Sequence, residues 1–332
     1  MILSWQLVRF ELKEMFSIAY GDYTHREALI VSINHNGFTG YGECTAIDYY
    51  QISLTDFTQK LEFVKQIIEK QKIVPPLDFY NCITSLNLSS FLLSALDCAY
   101  WDLFGKLENK SFLELNAIIP KTLPESSITI SVAPIEVQIK KIADSKWSKF
   151  KVKCNQFNEK NIKLLLQLDN TIALDSNGSF TKADCNWLEN HKAASLFSYV
   201  EQPMKIGADN YRLLNSKSSV NWMADEDCQD AADLQALQSH YSSVNIKLVK
   251  CGGLTPALQM ITKARKLNYK IMIGCMTEST IGISAGAALA SLCDYADLDG
   301  ANLISNDIAT GSEIINGKIQ LSEKPGLGIS LL

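Results

Sequence analysis

Residues 150–175 read FKVKCNQFNEKNIKLLLQLDNTIALD, and the fold turns on this stretch. Two short apolar runs, Phe150-Lys-Val-Lys153 and Ile172-Ala-Leu-Asp175, flank an amphipathic segment long enough for a helix. A strand, a helix and a second strand in that order build a parallel pair. Each run ends on a charged residue. The pattern extends in both directions. Before it stands Ile128-Thr-Ile-Ser-Val132; after it come Ser198-Tyr-Val-Glu201, Trp222-Met-Ala-Asp225, Val244-Asn-Ile-Lys247, Ile271-Met-Ile-Gly274 and Tyr295-Ala-Asp-Leu-Asp299. The steps from Lys151 to Asp175, Glu201, Asp225 and Lys247 are 24, 26, 24 and 22 residues. Eight strand candidates at this period predict an α/β fold with a (β/α)8-type barrel over residues 123–300. In such barrels the strand C-termini carry the chemistry, so the charged strand ends are the residues to examine.

Upstream the style differs. Ala28-Leu-Ile-Val-Ser-Ile33 and Gly40-Tyr-Gly-Glu-Cys44 flank the turn Asn34-His-Asn-Gly37, which predicts an antiparallel hairpin. Residues 55–73 and 88–107 read as helices, the first stopped by Pro75-Pro76. Residues 1–122 therefore form an α+β unit. Residues 301–332, with a hairpin signal at Asn316-Gly317, are expected to pack back on it.

The chain has 332 residues, 47% of them hydrophobic and 20% charged, enough for a large core. A net charge of -5 argues against nucleic acid as a partner. No run of about 18 apolar residues suggests a membrane span, and the opening MILSWQLVRFELKE carries early charges, unlike a secretory signal. Nine scattered cysteines with no C-x-x-C pair read as buried thiols in a reducing cytoplasm. A homo-oligomer is compatible with the sequence.

Lys151 and Lys153 lie two apart on one strand and share a face. A lone K-x-K would read as a solvent edge, but a barrel strand has none, since helices cover its outside. Two buried ammonium groups need anionic partners. Asp175, Glu201 and Asp225, at the next three strand ends, supply them. Taken singly, each carboxylate would read as the N-cap of the following helix. Three together repel without a cation, and hard oxygen ligands suit magnesium. Lys247 ends the strand across the barrel mouth, where it and a lysine of the Lys151/Lys153 strand could serve opposite faces of one carbon. Lysine titrates near about 10.4 in isolation, and a neighbouring cation with partial burial would lower it toward working range. Lys250, beside the Gly252-Gly253 turn, is its rival.

At this point Lys151-Val-Lys153, Asp175-Ser-Asn177, Glu201-Gln-Pro203, Asp225-Glu226 and Lys247-Leu-Val-Lys-Cys-Gly-Gly253 together resemble the ordered signature of the muconate-lactonizing subgroup of the enolase superfamily. Gly40-Tyr-Gly-Glu43 and Ser94-Ala-Leu-Asp-Cys-Ala-Tyr-Trp-Asp102 are similar to its capping-domain and linker-helix patterns. The resemblance implies that Asp175, Glu201 and Asp225 bind Mg2+, that Lys153 and Lys247 are the acid/base pair, and that Lys151 stabilises enolate charge. Asp297-Leu-Asp299 resembles the dipeptide epimerase signature, and Gly274–Ser279 with Ala296–Gly300 is similar to L-Ala-D/L-Glu epimerases. The resemblance implies that the two aspartates hold the ammonium of a dipeptide; the alternative is a helix N-cap beside a solvated acid. Gly21 stands where some Ala-Glu epimerases carry an arginine, with Arg26 five residues on and the aromatic Ile47-Asp-Tyr-Tyr-Gln-Ile52 nearby, so the second side chain of the substrate stays open. Two other functions stay in view: an o-succinylbenzoate synthase or muconate cycloisomerase of the same subgroup, whose anionic substrates Asp297 and Asp299 would repel, and a non-catalytic barrel, which the six intact charged positions disfavour.

Overall fold

The computed structural model describes residues 1–120 and 122–332. The chain opens with β1 (Ile2–Ile18), β2 (Gly21–His35) and β3 (Phe38–Thr45), an antiparallel sheet in that order. The β2–β3 turn falls at Asn36 and Gly37, both with positive φ, as a two-residue hairpin turn requires. A register shift between Glu11 and Phe16 bends β1, whose far end reaches the barrel: Val132 N–H donates to Ser17 O at 2.9 Å.

Helices α1 (Leu54–Glu69), α2 (Pro76–Thr84) and α3 (Ser90–Glu108) cover this sheet. Ser53 and Ser89 cap α1 and α3 through their side chains. The sequence reading stopped at Pro75-Pro76 and missed α2. Proline cannot continue a helix, but its fixed φ suits the first turn of a new one, and Pro76 opens α2. Leu61, Val64, Ile68, Phe79, Leu92, Leu96 and Tyr100 close a core between the sheet and these helices.

Eight parallel strands follow: β4 (Ile128–Ile130), β5 (Lys149–Lys153), β6 (Thr171–Asp175), β7 (Val200–Glu201), β8 (Trp222–Ala224), β9 (Ser243–Lys247), β10 (Lys270–Gly274) and β11 (Tyr295–Asp297). They pair in sequence order, and the ring closes where Ser126 bridges Ala296 in parallel. All eight coincide with the runs picked from sequence. Their apolar side chains pack outward against the barrel helices, from Val152 and Leu174 to Val244, Ile246, Ile271 and Ile273. The Asn316-Gly317 turn joins Glu313–Ile315 to Lys318–Gln320 as an antiparallel pair. The last residues meet α3: Leu327 N–H donates to Asp102 Oδ1 at 2.8 Å and Lys106 Nζ to Ile329 O at 2.8 Å. Among the described residues no helix is long and apolar enough to cross a membrane.

Candidate active site

Strand alternation builds the site. Residues two apart point the same way, so each barrel strand sends an inward pair up the axis. The lower members form an inner layer of Ala173, Tyr199, Met223 and Met272, with Tyr295 against it. The upper members sit at the strand C-termini: Lys153 pairs in register with Asp175, Asp175 with Glu201, and Gly274 with both Lys247 and Asp297. Lys151, Lys153, Asp225, Lys247, Asp297 and Asp299 all line one cavity of about 90 Å³ at this end, roofed by Tyr20, Tyr49 and Tyr50. β5 and β9 are four steps apart in the eight-strand ring, so Lys153 and Lys247 face each other from opposite walls.

The charges neutralise one another locally. Lys153 Nζ lies 2.5 Å from Asp175 Oδ2, and Lys247 Nζ 2.7 Å from Asp225 Oδ2. Lys151 Nζ binds Asp297 Oδ2 and stands 3.5 Å from Glu201 and 3.7 Å from Asp175. Burial alone would pull Lys151 and Lys247 down, but the carboxylates around them outweigh it and hold both above the ordinary lysine value. Burial likewise works to raise Asp225, yet Lys247 and Lys250 hold it low. Glu201 differs. Burial pushes it up to about 8, with Asp175 and Asp225 adding to the effect against Lys151. Its Oε1 accepts from Asn245 Nδ2 at 2.6 Å, while Oε2 is buried without a hydrogen bond, 3.5 Å from the Lys151 ammonium.

That orphan oxygen tests the fit of a cation. A buried carboxylate oxygen without a hydrogen bond is costly, and a hard divalent ion among three carboxylates would satisfy it. Among the described residues the three do not stand at mutual ligand spacing, and Asp175 and Asp225 pair with Lys153 and Lys247. Three carboxylates at neighbouring strand ends are nonetheless the donor set that suits a hard cation.

Residues 136–332 match the family described as Enolase C-terminal domain-like. The protein belongs to the enolase superfamily. Over 100% of its length it is 34% identical to the L-Ala-D/L-amino acid epimerase of Maribacter sp., covering 99% of that relative. It is 36% identical to the L-Ala-D/L-amino acid epimerase of Flavobacterium johnsoniae, over 97% of each chain. The dipeptide epimerase from Methylococcus capsulatus, solved with Mg and the dipeptide L-Arg-D-Lys, superimposes with a TM-score of 0.89 at 25% identity over 98% of both chains. Its relatives being epimerases, this superfamily member is an isomerase.

Strand β11 ends at Asp297, so strand alternation does not carry to Asp299. Asp299 instead stands at the N-cap position of Gly300–Leu303, yet its side chain makes no cap hydrogen bond. Its Oδ2 accepts Thr129 N–H at 2.6 Å. Asp297 is occupied by Lys151 and by Ser127 Oγ at 2.8 Å. Lys250, the rival to Lys247, points away from the cavity: its Nζ reaches Asp225 Oδ1 and Asp225 O at 2.6 Å, Cys228 O at 2.9 Å and Asn245 O at 3.2 Å. Arg26 lines the cavity, its guanidinium 4.4 Å above the Tyr23 ring and 3.2 Å from Ala46 O. Gly21 does not line it. Asn245 was not singled out, although it precedes Lys247 by two on the same strand face. Gly274 makes room for it, since a Cβ there would lie 2.3 Å from Asn245 Oδ1.

Proposed function

We propose that this isomerase is a magnesium-dependent dipeptide epimerase that inverts the α-carbon of the C-terminal residue of an Ala-Xaa dipeptide. The observation that carries the reading is Lys153 and Lys247 on opposite walls of one buried cavity. The names of the full-length relatives support the substrate class.

In this reading a dipeptide lies between the two lysines with its α-carbon on the line joining them. One lysine removes the α-proton, and the other returns a proton to the opposite face. A carboxylate's α-proton is very weakly acidic, so the enolate that forms needs fixed positive charge. Lys151, deep in the barrel, supplies part of it. Magnesium held by Asp175, Glu201 and Asp225 would supply the rest at the substrate carboxylate. A cation held by those carboxylates would leave Lys153 and Lys247 free to meet the substrate. Asp299 meets the dipeptide ammonium. L-Ala-L-Glu is the first substrate to test.

The experiment is deuterium incorporation from heavy water into Ala-Xaa dipeptides. Wild-type protein should label the α-carbon of both epimers without change of formula. Lys153→Ala and Lys247→Ala should each abolish inversion, and each should retain exchange from one epimer. Chelation should stop turnover and Mg2+ restore it. Full inversion by both variants overturns the two-base reading, and loss of water from a substrate moves the assignment to a lyase of the same subgroup.

A further inference from the structure

Tyr20 sits in the turn between β1 and β2, above the barrel mouth. Its hydroxyl lies 2.9 Å from Asn177 O and 3.0 Å from Glu226 Oε1, its one proton shared between the two acceptors. The same Glu226 oxygen accepts Asn177 Nδ2 at 3.0 Å, and Asn177 Oδ1 accepts Lys153 Nζ at 3.2 Å. A chain of hydrogen bonds thus runs from the turn through Glu226 and Asn177 to the Lys153 ammonium. We propose that Tyr20 is a positioning residue for Lys153, acting through the orientation of the Asn177 side chain. This inference rests on the epimerase reading above.

The physical argument concerns the amide. An asparagine side chain rotated by half a turn would present its NH2 group to the lysine, a donor facing a donor. Glu226 fixes the amide by accepting from Nδ2, which leaves Oδ1 for Lys153. Tyr20 binds both anchors of that residue, the Asn177 carbonyl and the Glu226 oxygen. Asn177 stands outside any helix with φ +43, a left-handed conformation that asparagine tolerates. Glu226 is buried and its other oxygen has no partner, so Oε1 carries both bonds. Burial and the nearby Glu226 raise the Tyr20 phenol, which therefore stays protonated and remains a donor.

The turn is held down by its ring as well. Tyr20 stacks on Tyr49 with centroids 4.5 Å apart, Tyr49 meets Tyr50 edge-on at 5.0 Å, and Tyr50 rests on Phe91 of α3 at 5.2 Å. The column keeps the turn in place without the hydroxyl. Lys247 has a different arrangement. Its ammonium binds Asp225 Oδ2, and the other Asp225 oxygen is fixed by Lys250. The hydroxyl of Tyr20 thus serves one lysine of the pair.

This asymmetry gives the test. Tyr20→Phe removes one oxygen and retains the stacked ring. Solvent deuterium exchange is measured separately on each epimer of one Ala-Xaa dipeptide, with saturating Mg2+. The epimer served by Lys153 is the one whose exchange disappears in Lys153→Ala. Tyr20→Phe is expected to slow exchange from that epimer fivefold or more and from the other less than twofold. In the Lys153→Ala background, where Lys247 is the sole base, adding Tyr20→Phe should change the remaining exchange less than twofold. Equal losses on both epimers would mean that Tyr20 only closes the site, and would overturn the positioning role; so would no loss on either. Wild-type protein that exchanges neither epimer overturns the epimerase reading itself, and the positioning role falls with it.

Discussion

Asp297 accepts from Ser127 Oγ and Lys151 Nζ, whereas Asp299 Oδ2 accepts the Thr129 N–H. Sequence alternation treated the two as one anionic pair on one face. The strand stops between them, and their partners divide their work. Asp297→Asn strips Lys151 of its nearest counter-charge, so it should lower kcat tenfold or more for free and N-acetylated dipeptides alike. On the proposed epimerase reading, Asp299→Asn would remove a charge-assisted contact to the ammonium, worth about 1.5–3 kcal/mol. It should raise KM for free dipeptides about tenfold or more and cost an N-acetylated dipeptide much less. Steady-state kinetics on the two substrates separates the cases; a KM effect from Asp297→Asn that spares kcat would return it to the ammonium site. The charged residues were legible because buried lysines and aspartates at strand ends are rare without a task. Asn245 and Asn177 were not assigned roles, because a neutral amide on a strand or turn carries no such signal until its partners are known.

Elements were legible where their burial forces a pattern. The barrel strands are covered on both faces, so they read as short apolar runs, and even β7, only Val200–Glu201, was found by its terminal acid. The hairpin strands were found by their turn. Why Gly40-Tyr-Gly42 must carry two glycines was not legible, because the reason is a helix distant in sequence. A Cβ at Gly40 would lie 2.1 Å from Ala99 O, and one at Gly42 would lie 2.0 Å from Ala95 O. The β3 backbone thus lies directly on α3, which answers with alanines. Gly42→Ala meets backbone that cannot rotate away, so unfolding free energy should fall by about 3 kcal/mol or more. Gly37→Ala, with nothing within 4 Å but φ +84, should cost about 1–2 kcal/mol from backbone strain alone. Urea denaturation of both variants checks the order; a Gly42→Ala protein as stable as Gly37→Ala would mean that β3 and α3 separate at little cost.

At the scale of the whole molecule, the N-terminal unit and the barrel are joined through Asp97 of α3. Its Oδ2 accepts Thr255 N–H and its Oδ1 accepts Thr255 Oγ1, both at 2.8 Å, and Trp101 Nε1 donates to the same threonine hydroxyl at 2.9 Å. A Cβ on Gly253 would lie 2.5 Å from the Asp97 carboxylate, so the barrel turn comes close only because that residue is glycine. Among the described residues no cation offsets the charge: Cys98, Cys251 and Tyr80 around it are themselves held neutral by burial. Burial therefore raises Asp97 from the ordinary 3.8 to about 7, against the opposing pull of its hydrogen bonds to Thr255. The sign follows from linkage. The folded protein keeps this proton up to about pH 7, while the unfolded chain releases it near pH 3.8. The contribution to stability is complete below pH 3.8 and is lost as pH rises through about 7, with a slope of up to about 1.4 kcal/mol per pH unit. Asp97→Asn keeps an oxygen acceptor for Thr255 N–H and does not titrate. The stability difference between Asp97→Asn and wild type should therefore shift in favour of asparagine from pH 4 to pH 7 and level off above it. Glu43 and Asp102, also raised by burial, contribute to both proteins and cancel in the difference. Urea unfolding of the two proteins at pH 5 and pH 8 measures it. A difference that does not change with pH would mean that Asp97 is already charged in the folded protein at pH 5, and that the junction between the two units tolerates a buried carboxylate without paired charge.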